Sequence, residues 1–393
     1  MIRRQFLKST GLVSLTPLVP GFVNRLAAST KPETDRSILV VLELSGGNDG
    51  INTLVPFRDE KYRELRPQLA LDPDTLHKIN DSMGLHRSLQ GCKELFDDGT
   101  LSIVNGVGYP NPNRSHFESM GIWHRGIREG KRESGAGWLG HALDLARQKG
   151  QTDMDGYFVG RDAVAEAMIG RRAQVAALSR FGDLQLSESI ESIASANQQD
   201  DVTAFVQQQM SDSYATARQM ESAAQETTAS GGYRNSRLGQ QMRLVSRLIK
   251  TGSAARVYYT RQGGYDTHAQ QTNTHSQLLF ELSSSLKTFT DDMNASGLGD
   301  RVVVMAFSEF GRRVRENGSA GTDHGTAGPV FLAGNTVNGG LSGETTSLTD
   351  LEDGDLKTQF DFRRIYATLL DRWLEIDSSK VLGKSFEHLP IIG

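Results

Sequence analysis

The 393-residue chain has one cysteine, Cys92, so no disulfide can close within it in any compartment. It has no excess of positive charge. Its formal net charge of −4 argues against a nucleic-acid binder. Several common catalytic fingerprints are missing as well. No GxGxxG follows a strand-like run, and no GxSxG elbow is present. Gly383-Lys384-Ser385 lacks the upstream glycine of a phosphate-binding loop, because Ser378 stands there. Cys92 falls mid-helix, a poor place for a nucleophile. No internal repeat is evident. Apolar content is ordinary once the 41 glycines are counted, which excludes both a disordered chain and a membrane bundle. The length that remains can bury a large core, as one big α/β domain or two smaller ones.

The amino terminus is informative. Arg3-Arg4-Gln5-Phe6-Leu7-Lys8 precedes a weakly apolar stretch, Gly11 to Val23, and then Ala27-Ala28-Ser29. This resembles a twin-arginine export signal over residues 1–28, which implies the twin-arginine translocation machinery as a partner and a periplasmic or secreted destination. Pro17 and Pro20 interrupt the apolar stretch, which is too short to span a bilayer.

Downstream, apolar β-branched runs alternate with amphipathic stretches, the pattern of an α/β sheet. Ile38–Leu44, Leu101–Val104, Gly156–Gly160, Ala254–Thr260, the run beginning at Val302, and Val330–Ala333 read as strands. Helical spacing covers His86–Asp97, a segment with Phe117, Met120 and Trp123, Gly137–Gln148, Gln270–Met293 and residues 361–376. Residues 180–251, rich in Gln, Ser and Ala, read as a helical insertion or cap. His124 and His141 read as helix-surface or packing residues, and His275 as either a supporting or an exposed group.

Chemistry-bearing residues collect where strands stop. In open α/β sheets, ligands bind beyond the carboxyl ends of strands. Asp49 lies in Ser45-Gly46-Gly47-Asn48-Asp49-Gly50, which is also a good turn sequence. Ser115, flanked by Arg114 and His116, opens a helix, so it is an N-cap, a nucleophile, or both. Asp266 and His268 are two apart, and in an extended segment such residues point the same way. Glu309 ends the Val302 run, followed by Arg312 and Arg313, and then by Asp323 and His324. Mixed carboxylate and imidazole donors suit zinc, manganese or iron better than calcium. Asp49, Asp266, His268, Glu309, Asp323 and His324 are thus candidate metal ligands, and Ser115, His116, Arg114 and Arg312 candidate catalytic groups.

The segments LELSGGNDGINTLVPF, NRSHFESMGIW, GGYDTHAQQ, FSEFGRR and GTDHGTAGPVF closely resemble the exported family DUF1501, across essentially Ser37 to Gly393. That family in turn looks like a member of the alkaline phosphatase and sulfatase superfamily. The resemblance implies a large mixed, mostly parallel sheet sandwiched by helices, binding one or two divalent metals. It implies that Asp49 serves a second metal, Ser115 is the nucleophile, and Asp266, His268 and His324 hold the first metal. Glu309 falls where the superfamily has an aspartate followed by histidine, but Phe310 replaces that histidine, so a second ion would need Asp323 or His116 instead. The sulfatase signature built on Cys/Ser-x-Pro-x-Arg is absent.

Two functions follow as expectations. One is an exported hydrolase of a small-molecule or polymeric phosphate or related ester, with Arg114 or Arg312 clamping the anion. The other is a catalytically degenerate relative that binds a cell-envelope polymer or partner protein.

Overall fold

The structure, a computed structural model, describes residues 36–127, 136–147, 155–179 and 232–393. The export-signal residues 1–28 and most of the insertion, residues 180–231, lie outside the described residues.

Nine strands form the central sheet: β1 (Ile38–Ser45), β2 (Leu101–Gly108), β3 (Gly156–Val159), β4 (Val175–Leu178), β5 (Val257–Gly263), β6 (Val302–Phe307), β7 (Gly328–Ala333), β8 (Gly340–Ser342) and β9 (Phe360–Asp361). Their order is β8-β2-β7-β6-β1-β5-β3-β4, with β9 also paired to β2. All pairings are parallel except those of β7, which runs against both β2 and β6.

β1 reads as a continuous apolar run because both its faces are covered. Ile38, Val40, Leu42 and Leu44 pack with helices Gln90–Asp97, Arg237–Lys250 and Gln271–Ala295. Leu39 and Val41 point the other way, among residues of helices His116–Arg125, Trp138–Ala146 and Phe362–Thr368. Burying each such side chain is worth about 1.5–3 kcal/mol, so the alternation along β1 fixes three layers. The described end of the expected insertion, Arg237–Lys250, is therefore a helix of the sandwich and packs directly on the sheet.

Glu43 is the one charged side chain within β1, and it is 1% exposed. A buried charge has to be paired. It accepts from Tyr259 Oη (2.5 Å), Arg261 Nε (2.5 Å) and His124 Nε2 (2.9 Å). His124 is thus a buried tie between β1 and helix His116–Arg125. Trp123, on the same helix, stacks between Phe307 (4.8 Å) and Phe362 (4.3 Å). Together they fix the helix whose first residue is His116. Phe117, expected on the same apolar stripe as Met120 and Trp123, is instead 85% exposed. The helix expected from His86 begins at Gln90 and leaves His86 buried in the preceding turn.

Register brings the strand ends to one rim. Ser45 is opposite Gly263 and Glu43 opposite Phe307, so β1, β5 and β6 finish together. Because β7 is antiparallel, its first residue, Gly328, pairs with Val107 near the end of β2. The segment before β7, with Asp323 and His324, therefore reaches the rim where the parallel strands stop.

Candidate metal centre

The rim begins with a turn that needs glycine. Gly46 (φ +119°) and Gly47 (φ +74°) adopt a left-handed conformation after β1, and a Cβ on either would overlap Asp266 backbone or the Phe310 ring. The absence of side chains lets the β1 turn lie directly on the exits of β5 and β6. A bridge pairs Arg312 with His324, bringing the chain after β6 against the chain before β7.

Four side chains meet on this rim. The Nε2 atoms of His268, His324 and His116 lie 3.0, 3.2 and 3.3 Å from one carboxylate oxygen, Asp266 Oδ1. His268 Nε2 and His324 Nε2 are 2.9 Å apart. Each ring is held at its other nitrogen by an acceptor. His116 Nδ1 donates to Glu309 Oε1 at 2.7 Å, His268 Nδ1 to Asp323 Oδ1 at 3.1 Å, and His324 Nδ1 to the Arg114 carbonyl at 2.7 Å. An acceptor at Nδ1 requires the proton there in the neutral ring, which leaves the lone pair on Nε2. Three lone pairs and a carboxylate then face one another. Such an arrangement is repulsive. Arg312 Nη2, 2.7 Å from Asp266 Oδ1, offsets part of that repulsion, and a cation among the nitrogens would offset the rest.

A divalent cation fits this donor set. His116 Nε2 is buried and, among the described residues, makes no hydrogen bond. The ligand atoms of His116, Asp266 and His324 all lie within 4.8 Å of one another, within reach of one ion, and His268 Nε2 adjoins Asp266 and His324. The carboxylate–histidine pairs Glu309–His116 and Asp323–His268 are the supports that orient metal-ligating imidazoles. Asp266 and His268 are nearly half exposed, 48% and 45%, so one side of the cluster faces solvent.

The local electrostatics agree. Burial alone would raise the Asp266 carboxyl, but the hydrogen bond and charge of Arg312, with the imidazoles beside it, hold it at about 2. The hydrogen bond to Glu309 raises His116 above the ordinary histidine value. Asp323 is lowered, chiefly by the Asn317 amide.

The expected residues divide into groups. Asp266, His268 and His324 meet as donors, and His116, expected as a catalytic group, joins them. Glu309 and Asp323, expected as ligands, stand behind the histidines and orient them. Glu309, 2% exposed, has its oxygens occupied by His116 Nδ1, by Gly46 N at 2.9 Å and by Ser308 Oγ at 2.9 Å. Arg312, expected to clamp an anion, is fully buried. Its guanidinium donates to the carbonyls of Gly46, Gly47, Tyr265 and Thr322 and to Asp266 Oδ1 at 2.7 Å, and so braces the turn. Asp49 is at the same rim but buried and bonded to Arg66 (2.6 Å), a partner the sequence reading did not identify.

Ser115 sits at the N-cap of helix His116–Arg125, but its hydroxyl makes no capping bond. It is exposed, directly before His116. Arg114 is 37% exposed, has one arm tied to the buried Asp355, and leaves its Nε without a hydrogen bond among the described residues. A cavity of about 580 Å³ opens beside this loop, lined by Tyr109, Asn111, Arg114, Thr326, Asp353 and Gln359 among others. Burial pushes the Cys92 thiol up to about 12, consistent with an inert core position.

The sequence matches, over residues 36–386, the family described as "Protein of unknown function (DUF1501)". No curated protein matches the chain. Solved structures similar to it include the phosphonate monoester hydrolase of Agrobacterium radiobacter (9% identity, TM-score 0.41, covering 90% of this chain and 78% of that one). Another is the PsFucS1 sulfatase from Pseudoalteromonas sp. (10%, 0.40, 95% and 74%). A third is the C-terminal periplasmic domain of EcEptC from Escherichia coli in complex with Zn (10%, 0.38, 78% and 75%).

Proposed function

The chain belongs to the DUF1501 family, and from that premise we propose that it is an exported, metal-dependent hydrolase of a phosphate or related ester, akin to the alkaline phosphatases and sulfatases. The observation supporting this best is the convergence of the His116, His268 and His324 Nε2 atoms on Asp266, each ring held from behind by an acceptor. Residues 1–28 serve as the twin-arginine leader that delivers the folded chain.

His116, His268, His324 and Asp266 would hold zinc, manganese or iron. When bound, the cation supplies Lewis acidity toward an oxygen of the ester. The protein's own groups do the rest. Ser115 presents an uncommitted hydroxyl at a helix N-terminus, whose free amides favour developing negative charge. Attack by Ser115 Oγ forms an ester to serine and breaks the bond to the leaving group. The hydroxyl proton ends on the departing alcohol, and water then frees the serine. Arg114, on the loop just before Ser115, supplies positive charge to the anion, with one arm of its guanidinium fixed by Asp355. Glu309 and Asp323 keep the imidazoles in register, and Arg312 keeps Asp266 ionised.

A second reading, a non-catalytic envelope-binding relative, is favoured by Phe310, a side chain without a lone pair where the superfamily has histidine. Elemental analysis of the purified protein, with a screen of aryl phosphates and phosphodiesters, tests the choice. The expected result is bound metal and turnover, with Ser115→Ala abolishing turnover while keeping the metal. Metal-free wild type, or undiminished turnover in Ser115→Ala, overturns the hydrolase reading. A metal-loaded but inert protein that retains envelope material supports the second.

A further inference from the structure

The superfamily resemblance implies a second cation near Asp49, and the residues there do not fit one. Asp49 is fully buried and both its oxygens already accept hydrogens. Arg66 Nη1 donates to Oδ2 at 2.6 Å, Gln271 Nε2 to the same oxygen at 2.5 Å, and Asn52 N to Oδ1 at 3.3 Å. The Gln271 amide is fixed with its nitrogen toward Asp49, because its oxygen accepts from Thr322 Oγ1 (2.6 Å) and Thr267 Oγ1 (3.0 Å). A cation needs lone pairs, and every group around Asp49 Oδ2 turns a hydrogen toward it. Of the other residues expected to serve a second ion, His116 turns its Nε2 to Asp266, and the exposed Asp323 accepts from His268 and Asn317 at Oδ1. Glu309 is taken up by His116, Gly46 and Ser308, and the Phe310 ring packs 4.9 Å from His116 and 5.0 Å from His324.

Arg66 is as deliberately held as Asp49. Its side chain is fully buried, and it also donates to Asn52 Oδ1 (2.9 Å), the Val314 carbonyl (2.9 Å) and the Arg313 carbonyl (2.7 Å). Burial would raise the Asp49 carboxyl, but the charges of Arg66 and His275 and the hydrogen bonds from Arg66 and Gln271 together lower it. The pair is neutral as it stands. A divalent ion added there would leave excess buried charge, which is costly.

We infer that Arg66 is a built-in cation standing where a second metal would be, so that the centre holds a single ion. This rests on the metal-centre reading above for the one ion it retains. The guanidinium supplies fixed positive charge that chelators cannot remove, and it ties the β1 turn to the chain just after Arg312.

Two measurements on the full-length chain test this. The first is the zinc-to-protein ratio of protein saturated with zinc and then desalted. The expected ratio is one, unchanged in Asp49→Asn and lost in His268→Ala. A ratio of two in wild type that falls to one in Asp49→Asn overturns the inference and leaves the hydrolase reading standing. The second is urea unfolding of metal-free Arg66→Met, Asp49→Asn and the double variant. Arg66→Met should lower the midpoint most, or fail to fold, and the double variant should recover part of that loss because no charge is orphaned. Additive losses overturn the inference. If wild type binds no zinc, the hydrolase reading and the single-ion count fail together, and this second arm still decides whether Arg66 is the counter-charge that Asp49 requires.

Discussion

Replacing Glu309 with glutamine isolates what the carboxylate behind His116 contributes. The amide keeps an oxygen for His116 Nδ1 and Gly46 N, and its new N–H can donate to Ser308 Oγ, so the geometry is conserved while the charge is lost. Glu309 is 2% exposed and 2.7 Å from the ring, which places the interaction where water screens it least. Loss of a carboxylate supporting a metal-bound histidine costs roughly 10–100-fold in metal affinity, about 1.4–2.7 kcal/mol. Glu309→Gln should fall near the upper end of that range. Asp323→Asn should fall near the lower end, because Asp323 is exposed and 3.1 Å from His268. Competition for zinc with a chromophoric chelator at neutral pH reads both. Urea unfolding of the metal-free protein should shift by no more than about 1 kcal/mol in Glu309→Gln, since the hydrogen bonds survive. Unchanged zinc affinity in Glu309→Gln, or a larger loss in Asp323→Asn, would refute the assignment of these carboxylates as supports.

Two further expectations follow. Burial would raise Glu43, but His124 and Arg261 hold it at about 2 against an ordinary 4.5. Its folded value lies below its unfolded one, so its contribution is complete above pH 4.5 and is lost as pH falls toward 2. The shift is worth about 3 kcal/mol, and urea titrations from pH 7 to 2 should show that limb in wild type and its absence in Glu43→Gln. A limb that persists in Glu43→Gln argues against the pairing. Substituting lysines for Arg3 and Arg4 should hold the protein in the cytoplasm by cell fractionation, and unimpaired export would count against a twin-arginine leader.

Much of the architecture was legible because a strand buried on both faces must be apolar throughout and must end in residues that tolerate a turn. Val302–Phe307 followed by Ser308 and Glu309 announced β6, and Ile38–Ser45 followed by two glycines announced β1. The residue types suited to a cation were visible too, because Asp266, His268 and His324 stand at strand ends where ligands gather. Register and packing decided what each side chain does. Nothing local in the sequence marks Arg66, which the fold lays on Asp49, and Arg312 turns inward to four backbone carbonyls. Glu309 and Asp323 became supports for histidines, and His116 a donor, because Trp123 and the Glu43–His124 tie fix the helix that carries it. Local sequence marks the long buried strands, whereas short ones such as Val175–Leu178, Gly340–Ser342 and Phe360–Asp361 form only where the sheet offers an edge to pair with. Which nitrogen of a ring is left free depends on partners up to 210 positions away, as for His324 and the Arg114 carbonyl, and only the assembled rim determines that.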